Sequence, residues 1–394
     1  MTLFFVDTNT LLCYNIDIRR TAMSYLSNNF QNKKAGFSDI WGPEDFISIN
    51  HEIVGLTPLG EEKMKGKTSI TIPTIEGITK ISNNISPVLK NMYEVYICEG
   101  YTEIDPETFE DSKIQSIHLP DSLRTIGYQA FKGSSIEYIK MPKNLCALGV
   151  GAFEESSLIG IDMKNTKIKS IDKHTFSKCH RLQFVDLPET LENIYGYAFF
   201  STSTLREIKL PKNLKLIGES AFAFSDLRKV EVPDGSNLET IDLNAFSDTK
   251  LEEFNFLKTK KLTEIGSRAF SKVCFKNLEI ISPNIKISPT AFADTSLQSV
   301  KLNIENIMSG IFKDGSIKKL VLRGVKAIKP YAFQGNNIEE LDIEGKNISI
   351  CDGAFRYNNI KKVDLKDAAE IVKTAFIGNP MEEFNIPDDV EIIE

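Results

Sequence analysis

The chain has 394 residues, 41% hydrophobic and 26% charged, ordinary proportions for a globular protein. Its formal net charge of −7 argues against nucleic-acid binding, and no apolar run reaches the length of a membrane span. Six cysteines (Cys13, Cys98, Cys146, Cys179, Cys274, Cys351) stand singly with no CxxC pair, so no zinc site, dithiol motif or disulfide framework is signalled.

Residues 1–51 do not repeat. MTLFFVDTNTLLCYNI has no basic start, and Asp7-Thr8-Asn9-Thr10 interrupts its apolar residues. It reads as a hairpin of LFFV and LLCY around DTNT, not as a secretory leader. RTAMSYLSNNFQ then sets Ala22, Tyr25, Leu26 and Phe30 at helical spacing, and FSDIWGPEDF carries the single tryptophan. This segment is expected to cap the end of the repeating region that begins near residue 52, or to dock onto an assembly partner.

GEEKMKGKTS, residues 60–69, has the look of a phosphate-binding loop, but five residues rather than four separate Gly60 from Gly66. The alternating, β-branched SITIP after it begins a strand, whereas a phosphate loop must open a helix. The expectation is a polar turn leading into a strand, with no nucleotide site. Ile70–Ile72 and Val95–Ile97 read as the strands of two degenerate first coils of a repeat.

The repeat itself is marked by phenylalanine: Phe109, Phe131, Phe153, Phe176, Phe199, Phe222, Phe246, Phe270, Phe292, Phe312, Phe333, Phe355 and Phe376, at intervals of 20 to 24 residues. Ala usually precedes the Phe, and Ile or Leu stands five residues before it, from Ile104 to Ile371; Ile393 continues that series. After the Phe comes L-x-x-I-x-L-P, as in SIEYIKMP or TLREIKLP, a short alternating strand stopped by proline. Such a strand cannot bury its apolar face alone; stacked on copies of itself it forms a parallel sheet, with the Phe set as an interior ladder. Three residues after the Phe stands a small position (Ser112, Ser134, Cys179, Thr202, Ser225, Thr249, Asn336, Asn358, Asn379 among them), suited to satisfying turn backbone groups. Cys179 occupies that slot and reads as a structural residue.

The pattern LPxxLxxIxxxAFxxS/C, seen in LPDSLRTIGYQAFKGS and LPKNLKLIGESAFAFS, resembles the BspA-like leucine-rich repeat, over residues from about 52 to the end. The resemblance implies a right-handed leucine-rich-repeat horseshoe, a repeat solenoid of mostly short parallel β-strands with turns and little helix. The expected domains are the cap or docking segment at 1–51 and the solenoid at 52–394, two degenerate coils followed by about thirteen Phe-anchored repeats. The resemblance further implies a non-enzymatic, adhesin-like binding module of a bacterial surface or secreted protein. The alternative reading is a subunit of a phage tail or injection particle docked through residues 1–51.

Catalytic chemistry is not evident. No Ser-His-Asp or Cys-His set falls into one register, and His174 with Cys179 and His180 lacks a fourth ligand, so no catalytic residue, metal or cofactor is assigned. The outward strand positions are mostly charges alternating in sign between neighbouring coils, as in Glu207, Lys229 and Glu253, which reads as a solvated face. Tyr138 and Phe184 break this pattern, with Gly160 between them and Lys140, Asp162 and Asp186 beside them. They are the candidate contact for a protein or glycan ligand, or else two aromatics covering a small residue. A second irregularity, the insertion in SKVCFKNLEIISPN, is expected to make a bend or bulged loop, and the basic run KTKK before it (258–261) a solvated loop.

Overall fold

The structure is a computed structural model that describes residues 41–394; the expected hairpin and helix near the N-terminus lie outside the described residues. Two compact units are present, 41–167 with His180–Asp186, and Ile168–Cys179 with Leu187–Glu394. Each is a parallel β-solenoid with little helix, and among the described residues no helix is long and apolar enough to cross a membrane.

In the first unit, Phe46–Ile49 (β1) pairs antiparallel with Glu52–Leu56 (β2), and β2 pairs parallel with Lys80–Ile81. From there one row of strands runs through Glu103–Ile104 and Thr125–Ile126 to Ala147–Leu148. Its inward residues Ile53, Ile81, Ile104, Ile126 and Leu148 are buried. The helix α1 (Pro58–Met64) corrects the expectation of a simple turn in GEEKMKGKTS. Thr57 caps it, its Oγ1 accepting from the Gly60 amide, with Pro58 in the first turn. Gly60 is there for close approach: a Cβ would lie 2.2 Å from the Asp45 carbonyl oxygen. Asp45 is buried and takes its charge partner from α1, Lys63 Nζ at 2.7 Å, and Lys63 also lies 5.0 Å over the Trp41 ring. The strand expected after Lys67-Thr68 is present as Ser69–Ile72.

The Phe ladder forms as the repeat requires. Rings stack at centroid distances of 4.9 and 5.1 Å along Phe109, Phe131 and Phe153 in the first unit. In the second unit they stack at 5.0–5.4 Å from Phe176 through Phe376. Burying each ring contributes on the order of 1.5–3 kcal/mol. Most of these Phe are flanked, two residues before and two after, by left-handed residues, for instance Glu107 and Asp111 (φ 60° and 53°) or Tyr197 and Ser201 (φ 60° and 57°). For non-glycine residues that conformation costs roughly 1–2 kcal/mol each. It is offset by hydrogen bonds to the next coil: the amides of Tyr197, Phe199 and Ser201 reach the carbonyls of Glu219, Ala221 and Ala223 at 2.7–2.9 Å.

The small position three residues after Phe completes the turn. Thr202, Thr249 and Thr295 each donate to the carbonyl of their own Phe at 2.8–3.0 Å. Asn336, Asn358 and Asn379 go further, each donating to the Phe carbonyl of its own coil and of the preceding one. Their Oδ1 atoms accept the amides of Ile317, Ile338 and Ile360, so one side chain links two coils.

The second unit departs from strict periodicity in three places. The coils following Phe312 and Phe333 lack the Leu-Pro turn, and their two strands fuse into Lys319–Ile328 and Glu340–Ile350. At the C-terminal coil Ile392, not Ile393, pairs with Ile371, because the coil runs 21 residues there. The insertion at SKVCF gives no bulge: Asn277–Ile281 is a straight five-residue strand paired with Ser299–Asn303, and Phe275 is buried. The disruption falls one coil earlier, where Glu253 makes an isolated bridge to Lys229 and Phe256–Lys258 turns into a 3-10 helix. Phe254 and Phe256 both occupy positions that other coils give to smaller Ile, Val, Leu or Met. Their rings pack at 5.5 and 5.4 Å on Phe270, and the extra bulk leaves no room for a regular strand.

Candidate binding face

The candidate face of the first unit is built from two three-stranded parallel sheets, one of Ser69–Ile72, Glu94–Ile97 and Ser116–His118, the other of Tyr138–Lys140, Gly160–Asp162 and Phe184–Asp186. Each strand turns one or two residues to the core, such as Ile117, Ile139, Ile161 and Val185, and the alternating neighbours outward. Parallel register then lines the outward residues up in rows.

Two such rows bring together the five residues singled out from the sequence. Gly160 pairs with both Tyr138 and Phe184, and Asp162 with both Lys140 and Asp186. The exposure expected of Phe184 is not found: it is only 6% exposed. Gly160 is the reason. A Cβ there would fall 1.9 Å from Phe184 Cζ, so the ring lies across the bare backbone and meets Tyr138 at 6.2 Å between centroids. Asp162 is likewise buried, while Tyr138 is half-buried and Lys140 exposed. The neighbouring carboxylates of Asp162 and Asp186 share Lys164, whose amide donates to Asp162 Oδ1 at 3.1 Å and whose Nζ lies 3.1 Å from Asp186. Lys140 has no ion-pair partner among the described residues.

Gly160→Ala is therefore expected to push the Phe184 ring off the sheet and to destabilise the fold by about 1–3 kcal/mol, through overpacking. The double variant Gly160→Ala with Phe184→Leu should recover most of that loss in thermal melts; no recovery would mean the clash is not with the ring.

Two further aromatics join the face. Tyr96 and His118, facing each other across paired strands, stack at 4.2 Å with planes 4° apart. Burial, followed by the proximity of Cys98 and Glu99, pushes the Tyr96 phenol above its ordinary range. Sequence reading missed Tyr96 because its coil is one of the degenerate ones, but it occupies the register position that Lys140 and Asp162 hold further on. On the flank, Arg181 Nη1 pairs with Glu137 Oε1 at 2.9 Å.

The sheet face of the second unit is different in kind. Lys209 pairs with Glu231, Lys229 with Glu207, Lys301 with Glu279, Lys319 with Glu340 and Lys362 with Glu383, at 2.5–3.7 Å, all across neighbouring coils. Exposed pairs of this kind contribute about 0–1 kcal/mol each and leave few charges for a ligand. Cys179 is fully buried, and His174 stacks on Tyr197 at 5.0 Å. Among the described residues no group of three or more His, Cys, Asp or Glu side chains is placed to hold a metal ion.

Comparison with known proteins agrees with this architecture. The profile of the BspA type leucine-rich repeat region (six copies) matches residues 62–182, 102–228, 169–298, 215–334 and 285–394. Among solved structures, a leucine-rich repeat protein from Bacteroides ovatus is similar, with TM-score 0.64 and 22% identity over 91% of this chain and 90% of that one. A leucine-rich cell surface protein from Faecalibacterium prausnitzii (TM-score 0.34, 19% identity, 89% and 96% of the two chains) and the pneumococcal vaccine antigen PcpA (0.41, 17%, 90% and 98%) also match, more distantly. No curated protein matches the sequence. With repeat matches extending from residue 62 to residue 394, the chain belongs to the BspA-type leucine-rich repeat family.

Proposed function

We propose that this chain is a non-enzymatic binding scaffold, the adhesin-like module of a bacterial surface or secreted protein, and that it engages a protein or glycan ligand through the sheet face of its first unit. The observation that carries this reading is the contrast between the two faces. The second unit's outward charges are neutralised coil by coil, whereas the first presents Tyr96, His118 and Tyr138 beside the exposed Lys140. Aromatic side chains with a polar tip supply contact area at little entropic cost, and such residues dominate binding hot spots. In this reading Phe184 and Asp162 hold the floor of the face, and Tyr138, Lys140 and the rim of Asp186 touch the ligand.

The test is adherence. Beads coated with the chain are expected to bind immobilised host matrix or cell-surface proteins. Tyr96→Ala with Tyr138→Ala should weaken that binding about tenfold without altering the melting temperature by more than about 2 °C. The control Lys319→Ala, on the second unit, should leave it unchanged. If the double variant adheres like the wild type, the face is not the contact; if the wild type adheres to nothing, the adhesin reading fails.

A further inference from the structure

The break in the second unit's sheet creates a cavity of about 360 Å³. It opens where Phe256–Lys258 leaves the strand path, and its apolar walls are Phe256, Leu257, Leu262, Ile280, Ile281 and Ile285. Phe256 and Leu262 are buried and form the floor. Leu257 and Ile281 are 48% and 51% exposed, an unusual state for two large aliphatic side chains at one mouth. The same excursion carries the basic run Lys258-Thr259-Lys260-Lys261, of which Thr259 and Lys260 line the cavity.

The charge at this rim is not neutralised locally. Lys258 has a single ion pair, with Asp234 at 3.1 Å, and that carboxylate is 91% exposed. Lys261 donates to the neutral Asn237 Oδ1 at 2.8 Å, and Lys260 has no ion-pair partner among the described residues. The nearest strand carboxylate, Glu279, is already taken by Lys301 at 2.7 Å. Three lysines with one exposed carboxylate partner between them make this segment a local excess of positive charge beside an apolar hollow.

We propose that this notch is a docking site for an acidic, extended segment of a partner protein. One leucine-, isoleucine-, methionine- or phenylalanine-sized side chain enters the cavity, and aspartates or glutamates on either side of it meet Lys260 and Lys261. The volume suits one such side chain with part of its backbone, and charge complementarity at the rim sets the orientation and speeds encounter. A lipid surface is a poorer occupant, because only Leu257 and Ile281 protrude, while Phe256, Leu262, Ile280 and Ile285 are recessed.

The experiment is selection from a phage-displayed library of random peptides on the full chain, followed by fluorescence anisotropy with the selected peptides. The expected consensus is a single large apolar residue flanked by acidic ones. Lys260→Glu with Lys261→Glu should weaken a selected peptide at least about tenfold, and Leu257→Gln by a comparable factor, with binding also weakening as salt is raised. All three positions are exposed, and a circular-dichroism melt equal to the wild type certifies the fold of each variant. Tyr96→Ala should not affect this binding. The proposal is overturned if the selected peptides lack acidic residues, or if they bind the charge-reversed variant equally well. It is also overturned if no peptide is enriched while vesicles of phosphatidylserine and phosphatidylcholine bind the chain and lose it to the same substitutions, which would make the notch a membrane contact.

Discussion

Phe222→Ala is expected to lower stability by about 3–5 kcal/mol, the cost of a large buried aromatic replaced by alanine. Phe222 has no exposed surface and lies between Phe199 and Phe246 at 5.0 and 5.2 Å, its plane nearly parallel to both. Collapse into the vacated space is opposed by the backbone. The amides of Ser220, Phe222 and Phe224 are each bonded to the next coil, to Leu243, Ala245 and Ser247. Because each coil of a solenoid is stabilised by its neighbours, the loss should appear as a lower urea midpoint, with a shallower transition if the array splits into separately melting parts. Phe224→Ala is the internal control. That ring is 56% exposed, and its removal should change stability by no more than about 0.5 kcal/mol. A loss below about 1 kcal/mol for Phe222→Ala would mean that the ladder does not carry the core.

Asn358→Ala should be the costliest polar substitution in the repeat region, on the order of 2–4 kcal/mol. It orphans the buried amide of Ile338 and removes donors from two buried carbonyls, each unmet group costing about 1–3 kcal/mol in the worst case. Those contacts are Nδ2 to the Phe333 and Phe355 carbonyls, both at 2.9 Å, and the Ile338 amide to Oδ1 at 3.1 Å. Asn358→Thr separates the two functions. A threonine in this slot bonds only the carbonyl of its own Phe, as Thr202 and Thr249 do, so it should restore the turn but not the link to the preceding coil. Denaturation midpoints should therefore rank wild type, Thr, Ala. Equal loss in both variants would show that the turn bond contributes nothing.

How much could be read from sequence depends on which forces are periodic. The Phe ladder and the Ile row were legible because burial recurs at the same place in every coil, and the strands from Ser116–His118 to Lys229–Glu231 fall where I-x-L predicts. The left-handed flanks were not legible, since Glu107, Tyr197, Arg268 and Phe224 are residue types that do not announce that conformation; the coil imposes it through inter-coil bonds. The break at Phe256–Lys258 was hidden because Phe254 and Phe256 satisfy an apolar pattern and violate only a volume limit. In the candidate face, register alone placed Tyr138, Gly160 and Phe184 side by side. Whether the Phe184 ring stands out or lies down depends on the missing Cβ of Gly160, a steric fact that a one-letter pattern does not carry.

The spread of coil lengths from 20 to 24 residues has a consequence for how such a chain can change. The rings remain 4.9–5.4 Å apart in coils of every length, so the Phe side of each unit acts as a fixed-pitch spine. Residues are gained or lost mostly in the sector between the two strands instead, which holds a Leu-Pro turn in the coil from Phe199 to Phe222 and closes into the single strand Lys319–Ile328 in the coil from Phe312 to Phe333. Insertions and deletions in that sector can reshape one side of the protein without shifting the register of any other coil. That gives the repeat a place to diversify at little cost to the core.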